Sequence, residues 1–294
     1  MRKFLKSLLL FILPIIIVAV VAELSARRIP NSFKYKNEWM KKNGKEVEML
    51  VLGHSHAYND INPELFGVKA FSLANHGQML DIDCFLLHKF IDNCPNLKYV
   101  VLPVAYLTFV SYTSGISNYA VHMDYEQPFY SKDNYEILAP QFYRKIISFL
   151  KGEDIVRCSE LGMSTDKLST VKEPNWDKSV TRNRLFTIDA PEELIEKNRD
   201  YLNRIAATCQ QYNVQVVLVT TPIWHKYREM MDRGQLNTMY TSVEDIVSLH
   251  SNVIYYDFMA DDRFSIDDFF DQDHLNGLGA EKFTKLLNDT ILGR

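Results

Sequence analysis

The stretch Val47–Tyr58 reads VEMLVLGHSHAY. An uncharged apolar run, Met49–Leu52, stops at Gly53, and Ser55 follows two residues later between His54 and His56. The run predicts a buried strand. Glycine allows a sharp turn at its end, and such a turn lifts a serine hydroxyl clear of the sheet edge. Taken alone, the same residues also fit an ordinary strand-to-loop junction with a surface serine. Working outward, the strand Val47–Gly53 has four companions of the same type: Lys69–Ala74, Lys98–Val104, Val214–Pro222 and Val253–Phe258. The segments LKYVVLPV and VQVVLVTTP are continuously apolar rather than alternating, which is the habit of parallel strands covered on both faces. Asp81–Ile91, Glu192–Tyr212, Leu236–Leu249 and Ala280–Leu292 read as helices. In the second, Leu194, Leu202, Ile205, Cys209 and Tyr212 share a face, and Pro191 suits a first turn. Alternating strands and helices predict an α/β fold, a three-layer α/β/α sandwich around a five-stranded parallel sheet. Sites in such sheets form beyond the carboxyl ends of the strands, where Ser55 falls.

Residues 106–190 interrupt the alternation and are rich in aromatics, Tyr106, Phe109, Tyr125 and Trp176 among them. This reads as an insertion over the sheet edge; its aromatics either form its own core or line a groove for sugars or an acyl chain. At the other end, Arg2, Lys3 and Lys6 precede an apolar run, Leu8–Ala22. Residues 1–26 therefore read as an uncleaved signal anchor, with a cleaved signal peptide as the alternative. Arg27, Arg28, Lys34 and Lys36 nearly balance the leading charges, so charge alone barely orients it. Residues 27–46 read as a polar connector, and 47–294 as the folded domain. A net charge of −4 gives no basic face for nucleic acid. The four cysteines lack the CxxC spacing of a metal or redox site and fit either buried thiols or disulfides.

The chemistry turns on a second stretch, FFDQDHLNGLGAEKF, Phe269–Phe283. A serine hydroxyl needs a base to take its proton as it attacks. Histidine does so near neutral pH, and a carboxylate orients the ring and stabilises the imidazolium. Asp271, three residues before His274, can reach the ring's far nitrogen; Asp273 is the second choice. With these residues in view, the chain resembles the SGNH, or GDSL-like, hydrolase superfamily, and is similar to its membrane-anchored bacterial branch. The resemblance covers Val47 to the C-terminus, less the insertion. It implies a flavodoxin-like strand order, Ser55 as nucleophile, and Asp271 and His274 as the rest of a triad. It also implies an oxyanion hole from the N–H groups of Ser55 and Gly77. The family's Asp before the serine is His54 here. Its asparagine after the third strand is absent from Pro103-Val104-Ala105-Tyr106, and Asn75 is the substitute offered.

His54, His56, His76, Trp224 and His225 are candidate pocket-lining residues, each with a packing or surface role as the alternative. Asp81, Asp83, Asp257, Asp261, Asp262, Asp267 and Asp268 form an acidic set without metal-loop spacing, so solvated carboxylates are expected and no metal. No organic cofactor is expected either. The resemblance implies acyl-ester hydrolysis or O-acyl transfer on a carbohydrate or acylated envelope polymer. The catalytic domain would lie outside the cytoplasmic membrane, with a membrane acyl-transfer partner. A catalytically inactive scaffold binding polysaccharide or a partner enzyme, and an esterase or lipase of small substrates, are the other readings.

Overall fold

The computed structural model describes residues 1–112, 142–153, 155–166 and 188–293. Most of the insertion's aromatics, Tyr125 and Trp176 included, lie outside the described residues. The chain divides into two compact units, one formed by Met1–Asn37 with Gly115–Arg157 and the other by Glu38–Ser114 with Cys158–Arg294.

In the first unit, helix α1 runs Arg2–Ala26, 25 residues with Pro14 inside it. At about 1.5 Å per residue it is long enough, and apolar enough, to cross a bilayer core of about 30 Å. Within residues 27–46, Ser32–Asn43 forms helix α2. Asn31 Oδ1 accepts from the Lys34 N–H at 3.0 Å, which caps a helix start that a lysine-rich composition conceals.

The second unit holds the sheet. Its strands are β1 (Met49–Val51), β2 (Ala70–Ser72), β3 (Tyr99–Pro103), β4 (Gln215–Thr220) and β5 (Val253–Asp257). All pair in parallel, in the order β2-β1-β3-β4-β5. This is the flavodoxin-like order, so β1 sits inside the sheet beside β3, where the winding changes direction and a crevice opens past the strand ends. Residues Met49, Val51, Val101, Val217 and Val219 face one core, which helix α3 (Ser55–Asp60) joins through Ala57, Tyr58 and Ile61. The C-terminal helix of that layer, Gly277–Leu292, adds Ala280, Phe283 and Leu287. By strand alternation Leu50, Val100, Leu102, Val216 and Leu218 point to the opposite face and are equally buried. That face belongs to helices α4 (Leu80–Phe90) and Glu192–Gln211, which pack on each other. Burial on both faces explains the unbroken apolar runs.

Numbered in chain order, Phe142–Leu150 is α5, Glu192–Gln211 α6, His225–Arg228 α7, Arg233–Leu249 α8 and Gly277–Leu292 α9. Among the described residues the cysteines are free thiols. Burial pushes Cys84 and Cys94 up to about 11, which keeps them protonated.

Candidate active site

The turn that carries Ser55 is built by β1 and α3. Gly53 adopts φ +111°, and a Cβ there would sit 3.3 Å from Pro103 Cδ. A side chain there would be strained by conformation and crowded against Pro103, and the chain reverses within two residues of the strand. Ser55 is the first residue of α3, so its N–H has no acceptor within the helix and is open to a ligand. At its other end α3 holds the histidine loop, because Asp60 Oδ1 accepts from the Leu275 N–H at 3.1 Å. One short helix thus fixes both Ser55 and the neighbour of His274.

The loop Phe270–His274 is closed on itself. Phe269 and Leu275 form an antiparallel bridge, and the Phe270 N–H donates to the His274 carbonyl at 2.9 Å. Asn276 caps α9 by accepting from the Leu278 and Gly279 N–H groups, both at 3.0 Å. A Cβ on Gly279 would lie 2.0 Å from the Asp268 carbonyl oxygen, so only glycine lets α9 start this close to the loop.

These two pieces bring the sequence-predicted triad together. His274 Nε2 lies 2.8 Å from Ser55 Oγ. On the far side of the ring, Nδ1 lies 2.9 Å from Asp271 Oδ1 and 3.2 Å from Asp273 Oδ1. Asp271 Oδ1 also accepts from the His274 N–H at 2.8 Å and the Asp273 N–H at 3.2 Å, so it is the carboxylate held by the backbone. Burial pulls the His274 imidazole down, but the Asp273 and Asp271 carboxylates together outweigh it and push it up to about 10.

His54 and His56 flank Ser55 in sequence, each only 7% exposed. The His56 N–H donates to His54 Nδ1 at 3.4 Å, so that nitrogen is an acceptor and His56 Nδ1–H donates to it at 3.1 Å. The Nε2 atoms of both rings are buried with no hydrogen-bond partner among the described residues. Burial first, and the charge on His274 second, lower His54 to about 4 and His56 well below its usual range. Both are neutral. The His56 ring stacks on that of His274, centroids 4.9 Å apart. Ligand atoms of His56, Asp273 and His274 lie within 4.8 Å of one another. Both His274 nitrogens already lie within hydrogen-bond distance of a partner, Nε2 with Ser55 and Nδ1 with Asp271, and a metal ion there would displace one of these contacts.

The triad opens on a cleft of about 670 Å³, part of it open to solvent, lined by His54, Ser55, His56, Gly77, Met79, Ala105, Tyr106, Leu107, Ile223, Tyr227, Met231 and Asp273. The lining is mostly apolar. Gly77 shares it with Ser55, as the oxyanion expectation requires, whereas Asn75 lies beside it. Asn75 donates its N–H to the Gly53 carbonyl at 3.1 Å and accepts from the His76 N–H at 3.1 Å. Its Nδ2 is buried without a partner among the described residues. His76 is outside the lining, half exposed, its ring edge-on to that of Tyr58 with centroids 5.0 Å apart. Trp224 and His225 are outside it too: Trp224 packs 5.8 Å from Phe269, and His225 faces Glu229 at 3.4 Å on α7. Ile223 and Tyr227, on either side of them, supply that wall instead.

The acidic set does not gather. Asp257 accepts from the Tyr240 hydroxyl at 2.9 Å, Asp261 pairs with Arg263, and Asp268 with Lys282 at 3.0 Å. Asp83 contradicts the expectation of a solvated carboxylate. It is 1% exposed, and its Oδ1 accepts from the Gly53 N–H at 2.8 Å and Gln78 Nε2 at 2.7 Å. An acid in a first helical turn ordinarily complements the helix dipole, so nothing local in the sequence marks it for burial.

No family model matches the chain, and no curated protein matches it. Among solved structures the chain is similar in fold to a protein described as a platelet activating factor from Streptococcus pneumonia, at 12% identity and TM-score 0.45, over 96% of this chain and 98% of that one. It is also similar to a GDSL-like lipase from Bacteroides thetaiotaomicron, at 10% identity and TM-score 0.45, over 89% and 98%. An acylhydrolase from Bacteroides fragilis matches at 10% identity and TM-score 0.41, over 92% and 95%.

Proposed function

We propose that this chain is a membrane-anchored serine esterase or O-acyltransferase. The observation that carries the reading is the continuous path Asp271–His274–Ser55, with contacts of 2.9 and 2.8 Å, at the wall of an open cleft. Neutral His274 takes the Ser55 proton on Nε2 as Oγ attacks the ester carbonyl. The imidazolium that forms is oriented and stabilised through Nδ1–H by Asp271. The N–H groups of Ser55 and Gly77 receive the oxyanion. His274 then returns the proton to the departing alkoxide, leaving an acyl-Ser55. In the second half His274 takes a proton from water, giving hydrolysis, or from an acceptor hydroxyl, giving transfer. The apolar lining suits the acyl side of the ester.

The anchor helix and the resemblance to envelope-modifying SGNH proteins support a carbohydrate or acylated envelope polymer as substrate. They also support a site outside the cytoplasmic membrane and a membrane acyl donor as partner. One observation favours the scaffold reading instead: no asparagine follows β3 to give the oxyanion a third donor.

A fluorophosphonate probe applied to the full chain in detergent separates the two. Covalent labelling is expected, and it should vanish in Ser55→Ala. Folded wild-type protein that takes no label overturns the esterase reading in favour of the scaffold. Turnover of p-nitrophenyl acetate with and without an added sugar acceptor then divides hydrolysis from transfer.

A further inference from the structure

Asp83 lies outside the cleft, yet it is bonded to both loops that supply the oxyanion donors. Its Oδ1 accepts the Gly53 N–H at 2.8 Å and Gln78 Nε2 at 2.7 Å. Gly53 is the pivot of the nucleophile turn. Gln78, itself 1% exposed, follows Gly77. The backbone joins the same two loops once more, the Asn75 N–H donating to the Gly53 carbonyl at 3.1 Å, and the Gln78 N–H closes the second loop on the Asn75 carbonyl at 3.3 Å. Both backbone groups of Gly53 are therefore held, the N–H by the Asp83 carboxylate and the carbonyl by the Asn75–Gln78 loop.

We infer that Asp83 is a positioning residue for catalysis, a buried clamp that sets the Ser55 N–H and the Gly77 N–H at the spacing an oxyanion needs. The inference rests on the serine-esterase reading. Asp83 touches neither Ser55 nor the cleft, so it acts only through the two loops it joins. Geometry argues that more than helix anchoring is involved. An acid whose task was to hold α4 would bond within its own helix or to the sheet, whereas both bonds of Asp83 Oδ1 go forward to the two donor loops. A site with only two backbone donors is also the kind that depends on their alignment, because removing one oxyanion donor typically costs about 10²–10³ in rate. Burial raises the Asp83 carboxyl to about 7, with the Gln78 and Gly53 bonds pulling against it. A neutral carboxamide is accordingly a fair replacement.

The experiment compares Asp83→Asn with Asp83→Leu in the full chain. It reads kcat and KM on p-nitrophenyl acetate, the rate of fluorophosphonate labelling, and Tm. Asparagine keeps an oxygen that accepts both donors, and should stay within about fivefold of wild type in kcat. Leucine leaves the Gly53 N–H and Gln78 Nε2 unpaired, and should lower kcat and labelling by about 10²-fold with KM changed less than about threefold. Asp83→Leu protein that folds and labels at the wild-type rate overturns the clamp, as does an equal loss in both variants. Should leucine prevent folding, Gln78→Met removes one arm alone. A loss of about tenfold in labelling at unchanged Tm supports the clamp, and wild-type labelling overturns it. Wild-type protein that takes no label overturns the esterase reading and the clamp with it, which is a different outcome from labelled wild type with an indifferent leucine variant.

Discussion

His274 and the His54–His56 pair beside it carry the same chemistry to opposite ends. His54 and His56 are buried and the His274 side chain is only 14% exposed, with ring centroids 4.9 Å apart between His274 and His56 and 4.8 Å between His56 and His54. Burial lowers all three. Only His274 has carboxylate oxygens on its ring nitrogen, at 2.9 and 3.2 Å, and only His274 ends up raised, to about 10. His56 feels the same two aspartates from farther away, less strongly than it feels burial and the charge on His274. Adjacency to the nucleophile in sequence therefore says little about an imidazole's role; what touches its second nitrogen decides.

The largest break in that contrast comes from Asp271. Asp271→Asn keeps an oxygen that accepts the His274 and Asp273 N–H groups, so the loop should fold. The amide removes one of the two charges facing Nδ1 and permits the wrong tautomer. We expect kcat on p-nitrophenyl acetate to fall by about 10³–10⁴ with Tm nearly unchanged. A loss below tenfold would show that Asp273, not Asp271, is the working partner.

Asp273 tests the charge rather than the orientation. A base works only when deprotonated, so activity is present above its pKa and is lost as pH falls through it. With His274 held up at about 10, kcat/KM should climb with pH through the neutral range and level near that value. Asp273→Asn removes the larger of the two opposing charges. The knee of the profile should move down by about one unit, and activity at pH 7 should rise about tenfold. An unmoved knee would remove Asp273 from the account. Stability runs the other way. A raised imidazole stabilises the fold fully below its ordinary value of 6.5, and that contribution is lost as pH rises through about 10.

How much of this was legible depended on whether the signal was local. The sheet was, because strands buried on both faces print continuous apolar runs, and the helices on both faces carry their own periodicity. The pairing of Ser55 with His274 was legible from Gly53 before the serine and the Asp-x-x-His spacing before a helix start. α2 was hidden by a lysine-rich surface, although Asn31 offered a cap. Asp83 and Asp60 were not legible, since each acts on a residue far away in sequence: Asp83 on Gly53, and Asp60 on Leu275. Trp224 and His225 fall outside the cleft lining while Ile223 and Tyr227 enter it, because a strand end fixes where a loop begins but not which of its residues turn inward.

The smallest expected effect falls on His56, and it sharpens the contrast most. If that histidine is only a neutral wall, His56→Phe should preserve the stack on His274 and leave kcat within about threefold of wild type. Net stability should move by no more than about 1 kcal/mol, because two consequences offset. The buried, unpartnered Nε2 disappears, which removes a burden of about 1–3 kcal/mol. The Nδ1–H bond to His54 disappears as well, while the residue-56 N–H still donates to His54 Nδ1. The acid side should respond more clearly. A lowered histidine leaves the fold intact above 6.5 and costs stability as pH falls, so the phenylalanine variant has one fewer ring to protonate and should unfold at a lower pH. A fall in kcat of tenfold or more would mean instead that a His56 nitrogen handles a proton in the reaction. The division between one working imidazole and two silent ones would then be wrong.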